Sequence, residues 1–174
     1  MPMMRPKESA TELVRDLAEA LVKRGWTLAV AESCTGGSLG AAITDRAGSS
    51  AYFLGGIVAY DNRLKRDLLG VPDGDLDCHG AVSLAVAERM ATGCQRRVGS
   101  DLAVSITGIA GPGGATPGKP VGLVFIGIAT GTAGHAEEYH FSGDRADVRR
   151  QAVEAALRLA LHAARSLDGT QSYR

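Results

Sequence analysis

A chain of 174 residues is long enough for one domain with its own apolar core, and at 45% hydrophobic residues with 23 glycines its composition is that of a folded protein rich in tight turns. Its 19 basic and 19 acidic side chains cancel, so no net charge recruits nucleic acid or an anionic membrane. No stretch is long and apolar enough to cross a bilayer, and Met1 to Glu8 carries charge and proline rather than an apolar core, so the expected home is the cytoplasm.

Residues 9–24 read as a first helix, with Ser9 and Glu12 as a capping box and Gly25 as its stop. Thr27 to Ala31 is a short buried strand that runs into Glu32-Ser33-Cys34-Thr35-Gly36-Gly37, and Ser38 to Ala47 forms a helix behind it. Gly48-Ser49-Ser50 makes a turn. Gly55 to Tyr60 is a second strand, capped by Asp61-Asn62 and followed by a short helix, Arg63 to Leu69. Pro72 to Gly80 is polar and turn-rich. Ser83 caps a helix reaching Arg97, and Leu102 to Ile106 is a third strand. Thr107 to Pro120 is a glycine- and proline-rich loop of the length that carries function. Val121 to Ala129 is an apolar strand, and His135 to Phe141 is a polar edge strand antiparallel to it. A long helix spans roughly 146–165, and the chain after Asp168 reads as frayed. The alternation predicts one α/β domain over 9–165: three α/β/α layers around a mixed, mostly parallel sheet with a late antiparallel hairpin, and 166–174 as a tail.

The strand–loop–helix at Ala31 to Gly37 is where such folds build sites. Its glycines admit close backbone approach, and the N–H groups at the helix start suit an anion or a developing oxyanion. Ser33 is a nucleophile only if a base takes its proton. The hydrolase elbow Gly-x-Ser-x-Gly is absent, and none of His79, His135, His140 or His162 sits near Ser33 in sequence. Lys65 is the better base if burial keeps it neutral, with Tyr60 to relay a proton; its plainer reading is a solvated helix lysine. Cys34 is a rival nucleophile, or a small apolar filler. Glu32 either orients Lys65 or a substrate hydroxyl, or caps the following helix. Thr35, Gly36 and Gly37 are the expected oxyanion support.

Ser105, Thr107, Gly108 and Gly111 form a second set, in a loop that is neither a P-loop nor a dinucleotide fingerprint. A third is Asp144, Arg145, Arg149 and Arg150, in which Arg145 and Arg149 lie one turn apart and could grip one phosphate. The cysteines at 34, 78 and 94 are too few and scattered for a disulfide framework, and Cys78 and Cys94 are expected to be structural. No carboxylate pair or histidine–cysteine group has metal spacing, so neither a metal nor a cofactor is expected.

Taken in order, Ala31 to Gly37, Gly48-Ser49-Ser50, Tyr60-Asp61-Asn62 with Lys65, and Gly80 to Ser83 resemble the CinA C-terminal domain family. Ser105 to Pro112, Lys119 to Gly122 and Phe141 to Arg145 continue the match. The resemblance covers roughly 9–165 and is to the stand-alone form, without the family's molybdopterin-binding-like module. It implies hydrolysis of the carboxamide of nicotinamide mononucleotide, with Ser33 as nucleophile, Lys65 as base and Tyr60 beside them. Many members have Tyr-Ser-Asn where this chain has Tyr60-Asp61-Asn62, and an acid so near Lys65 favours the charged amine. The nucleotide is expected against Thr107, the Gly108–Gly111 backbone and Arg145 or Arg149. A homodimer or other homo-oligomer is expected. Two other readings stay open, a magnesium-dependent phosphoryl or nucleotidyl transferase and a non-catalytic nucleotide-binding scaffold.

Overall fold

The computed structural model describes residues 9–166. Helix α1 (Ala10–Arg24) opens on the reciprocal Ser9–Glu12 capping box and stops at Gly25, which turns into the left-handed region at φ 64°. There follow β1 (Leu28–Glu32), α2 (Ser38–Thr44), a 3-10 turn at Ser49–Ala51, β2 (Phe53–Val58), α3 (Asn62–Leu69), α4 (Asp73–His79) and α5 (Leu84–Val98). The chain closes with β3 (Leu102–Gly108), β4 (Leu123–Thr130), β5 (Ala133–His140) and α6 (Arg145–Ser166). The expected tail lies outside the described residues except for Ser166, which is the last residue of α6. No described helix is long and apolar enough to cross a membrane.

The sheet order is β2-β1-β3-β4-β5. β1 pairs parallel with β2 and with β3, whereas β3–β4 and β4–β5 are antiparallel. The pairings are thus evenly divided rather than mostly parallel. The glycine-rich segment between β3 and β4 contains no crossover helix, so β4 can only return antiparallel. β5 is the polar edge strand the sequence predicts. β2 starts two residues earlier than expected and ends at Val58, which leaves Ala59 and Tyr60 beyond the strand. The segment read as turns at 72–80 holds α4; Pro72 at its N-cap, Asp73 and Asp75 in its first turn and Gly80 at its end are the helix signals there.

Side chains of β1 alternate strictly between two cores. Leu28 and Val30 face α1, α2 and α6, and Ala29 and Ala31 face α5, against which α3 and α4 pack. The α5 face of the sheet is built from small residues, with Ala103 and Ala129 beside Ala29 and Ala31. The helix therefore lies close: a Cβ on Gly127 of β4 would stand 2.2 Å from the Ala87 carbonyl oxygen of α5. On its other side α5 meets α3 as tightly, because a Cβ on Gly93 would stand 1.8 Å from the Leu69 carbonyl oxygen. Gly93→Ala must push α3 away from α5, and a loss of about 1–3 kcal/mol is expected in chemical denaturation. An unchanged denaturation midpoint would contradict this packing.

Candidate active site

β1 carries the chain to the edge of the sheet, and the Ser33 N–H extends its ladder by bonding the Ile106 carbonyl of β3 at 3.0 Å. Next to it, β2 ends and the chain turns at Ala59 and Tyr60 into α3. Asp61 caps that helix by accepting from the Arg63 N–H at 2.8 Å. Lys65 and Leu69, four residues apart, are the two buried positions of α3. Lys65 thus occupies the place of an apolar anchor, and it is 1% exposed rather than solvated. Its Nζ lies 3.0 Å from Ser33 Oγ, 2.9 Å from the Ala59 carbonyl oxygen and 3.0 Å from the Tyr60 carbonyl oxygen.

These three neighbours fix what the amine can do. Carbonyl oxygens only accept, so a neutral amine gives its two hydrogens to Ala59 and Tyr60 and turns its lone pair on the Ser33 hydroxyl. Burial holds the Lys65 amine below the ordinary lysine value of 10.5, against smaller opposing effects of Cys34 and Asp61. The Cys34 thiol is itself pushed up to about 11, mainly by burial, so it carries no charge near neutral pH and Asp61 is the remaining opponent. The thiol therefore stays protonated at neutral pH, and it is Ser33 whose Oγ lies within hydrogen-bond distance of the Lys65 amine.

Glu32 lies on the helix side of β1 and is 1% exposed. Its carboxylate accepts from the N–H groups of Gly37, Leu39 and Gly40 at 3.0, 3.1 and 2.8 Å. Its carboxylate thus caps the N-terminus of α2 and fills the place an external anion would take there. The expected oxyanion support changes with it. The Gly37 N–H belongs to Glu32, and the Gly36 N–H bonds the Ser33 carbonyl at 3.0 Å. Thr35 is fully buried with its hydroxyl unpartnered, and none of the three lines the cavity beside Ser33.

That cavity, of about 290 Å³, has Ser33, Cys34, Tyr60, Asn62 and Lys65 on one side. Thr107, Gly108, Gly111 and Arg145 close the other side, so these expected residues do converge. The Thr107 hydroxyl donates to the Ala81 carbonyl at 2.8 Å, and Arg145 Nη1 holds the Gly111 carbonyl at 2.9 Å. The Tyr60 ring stands at the mouth, 60% exposed. Ser105 is not part of the cavity: its hydroxyl donates to the Ala87 carbonyl at 2.6 Å and fastens β3 to α5. Arg149 is absent from this wall as well and bonds the loop behind it, Nε to the Cys34 carbonyl at 3.2 Å and Nη2 to that of Thr35 at 2.9 Å. Arg145 and Arg149 also border a second cavity, of about 500 Å³, with Pro112 and Val121. No histidine lines either space. Cys94 is buried as expected, but Cys78 is exposed on α4.

A family model for the CinA C-terminal domain matches residues 10–164. The chain belongs to that family. A CinA-like protein of Mycolicibacterium vanbaalenii is 51% identical over 144 residues, which is 82% of this chain and 34% of that protein. A CinA-like protein of Gloeothece citriformis is 65% identical over 103 residues, 59% of this chain and 25% of the relative. The chain thus spans between a quarter and about a third of these relatives. A crystal structure of a CinA superfamily protein from Klebsiella pneumoniae superposes with a TM-score of 0.87 at 36% identity, covering 90% of this chain and 98% of that one. A competence/damage inducible protein from Agrobacterium tumefaciens gives 0.86 at 38% identity, covering 94% and 99%.

In this CinA domain, Asn62, Ala81, Val82, Ile109 and Ala110 also line the Ser33 cavity. The sequence points to Thr107, the Gly108–Gly111 backbone and Arg145 on the far wall, but gives Ala81 and Val82 no role beyond the motif at Gly80 to Ser83. Ala81 and Val82 come from a non-periodic connection, and only the pairing of Thr107 with the Ala81 carbonyl brings it over the sheet edge. Removing the Glu32 carboxylate leaves three buried or half-buried N–H groups without their acceptor. Glu32→Ala is expected to cost about 1–3 kcal/mol in denaturation, and a variant as stable as wild type would refute the capping role.

Proposed function

We propose that this domain hydrolyses a carboxamide through an acyl-enzyme, with Ser33 as nucleophile and Lys65 as base. The observation that carries the reading is the Lys65 Nζ placed 3.0 Å from Ser33 Oγ with two carbonyls taking its hydrogens. The substrate we assign is nicotinamide mononucleotide, giving nicotinate mononucleotide and ammonia, as the family resemblance implies. Neutral Lys65 takes the hydroxyl proton while Ser33 Oγ attacks the amide carbon. Among the described residues the Cys34 N–H has no backbone acceptor, and it belongs to a residue on the cavity wall, so it is the donor we assign to the oxyanion. The Lys65 ammonium returns its proton to the departing nitrogen, and ammonia leaves. Water, deprotonated by Lys65, then cleaves the ester and frees the acid and Ser33. Tyr60 at the mouth packs beside the entering ring. Arg145, bordering both cavities, is the phosphate ligand we assign in place of Arg149. Ser33 and Lys65 lying far apart in the fold would favour the scaffold reading, and the short contact weighs against it.

Ammonia release from nicotinamide mononucleotide, followed with a chelator present, tests the scheme. Wild type is expected to turn over, Ser33→Ala to be inactive, and Lys65→Met to fall by at least about 100-fold while staying folded. Full activity in either variant overturns the dyad, and loss of wild-type activity with the chelator favours the transferase.

The pH profile follows from the lysine. Activity requires the neutral amine, so kcat/KM rises with pH through the Lys65 pKa, which burial places below 10.5. Asp61→Ser removes the charge that favours the ammonium and keeps a good helix cap, so the rising limb moves to lower pH. A limb that stays in place or moves upward would show that Asp61 does not act on Lys65.

A further inference from the structure

The turn that presents Ser33 has no regular secondary structure, so its direction depends on what holds its three successive carbonyls. The Ser33 carbonyl is held locally, by the Gly36 N–H at 3.0 Å. That of Thr35 takes the Ser38 hydroxyl at 2.7 Å and N–H at 3.1 Å as well as Arg149 Nη2 at 2.9 Å. The Cys34 carbonyl has one partner among the described residues, Arg149 Nε at 3.2 Å. Arg149 Nη2 also donates to Ser38 Oγ at 3.0 Å, which ties the same fork to the first residue of α2. No other side chain of α6 bonds this turn among the described residues.

We propose that Arg149 is a positioning residue for the nucleophile, setting the peptide plane that follows Cys34 from the far side of the fold. The inference rests on Ser33 being the nucleophile, but not on the identity of the substrate. A trans peptide is planar, so fixing where the Cys34 carbonyl points fixes the whole Cys34–Thr35 unit. With the Ser33–Cys34 unit held by Gly36, the rotations on either side of Cys34 are determined, and so is the approach of Ser33 Oγ to Lys65. The arrangement needs a fork with two N–H vectors on neighbouring carbonyls, which arginine supplies and the point charge of lysine does not. It also separates the two arginines of the first turns of α6: Arg149 holds the wall that carries the nucleophile, and Arg145, through the Gly111 carbonyl, the opposite one.

The test compares wild type, Arg149→Ala and Arg149→Lys by steady-state ammonia release and by the rate at which a small uncharged fluorophosphonate labels Ser33. For Arg149→Ala, kcat is expected to fall about 100-fold, the cost of a misplacement of about 1 Å, with KM little changed and labelling slowed in parallel. Arg149→Lys stays well below wild type, and millimolar guanidinium ion restores part of the rate of Arg149→Ala. Thermal midpoints identify a variant that fails to fold, in which case Arg149→Lys and Arg149→Gln carry the comparison. A raised KM with unchanged kcat, or labelling at the wild-type rate, overturns the proposal in favour of a substrate ligand. Absence of Ser33 labelling in wild type overturns it together with the nucleophile. Normal wild-type labelling without ammonia release, and slower labelling in the variants, supports it and removes only the nicotinamide substrate.

Discussion

Burial of the Lys65 amine is the constraint on which the site depends. An ammonium taken out of water is penalised unless charge or hydrogen bonds compensate it, and here the compensation is neutral: two carbonyls and a hydroxyl. Those carbonyls are available because β2 stops at Val58. One residue later the Ala59 N–H still closes the ladder onto the Glu32 carbonyl at 2.8 Å, while its own carbonyl turns to the lysine. The end of one strand therefore registers the Lys65 amine against the end of its neighbour, where Ser33 sits.

The same precision reaches the site through α5. Alanines on the sheet and Gly93 on the helix let backbone approach backbone, so α3 is held by contact with a carbonyl rather than by adaptable side chains. Ser105 shows what a polar group does in that layer. It is as buried as any core residue, yet its hydroxyl finds the Ala87 carbonyl and becomes a fastener. Ser33, at the strand end instead of its middle, meets a lysine and a cavity. Position along the strand separates a serine that fastens two elements from one that faces a cavity.

Much of this was legible in the chain. The Ser9–Glu12 box, the order of strands and helices and the polar edge all follow from local rules that tertiary packing leaves intact. The nearness of Ser33 and Lys65 follows once β1 and β2 are parallel neighbours. Local reading failed where a residue's partner lies far along the chain. Arg149 pairs like a phosphate ligand with Arg145 by helical spacing, but only the fold brings it to carbonyls 115 and 114 positions earlier. Glu32 was ambiguous for the opposite reason, because capping and substrate binding use the same carboxylate and sequence does not say which way it turns. The helix at Asp73–His79 was hidden by its own composition, since acidic residues and glycine read as turn unless Pro72 and Gly80 are taken as its ends.

Glu32 also decides what kind of site this is. A free helix start beside a serine would attract the anionic end of a ligand and place a phosphate, not an amide, against the nucleophile. With the carboxylate already on the α2 N–H groups, that attraction is internal, and the loop around Ser33 is electrostatically closed to a second anion. An anionic ligand would then carry its charge away from Ser33, and among the described residues that line the cavity Arg145 is the one basic side chain besides Lys65. The reactive end that remains for the serine is uncharged. A neutral carboxamide at one end and a phosphate at the other is a division that this distribution of charge accommodates, and a phosphoryl group at Ser33 is one that it opposes.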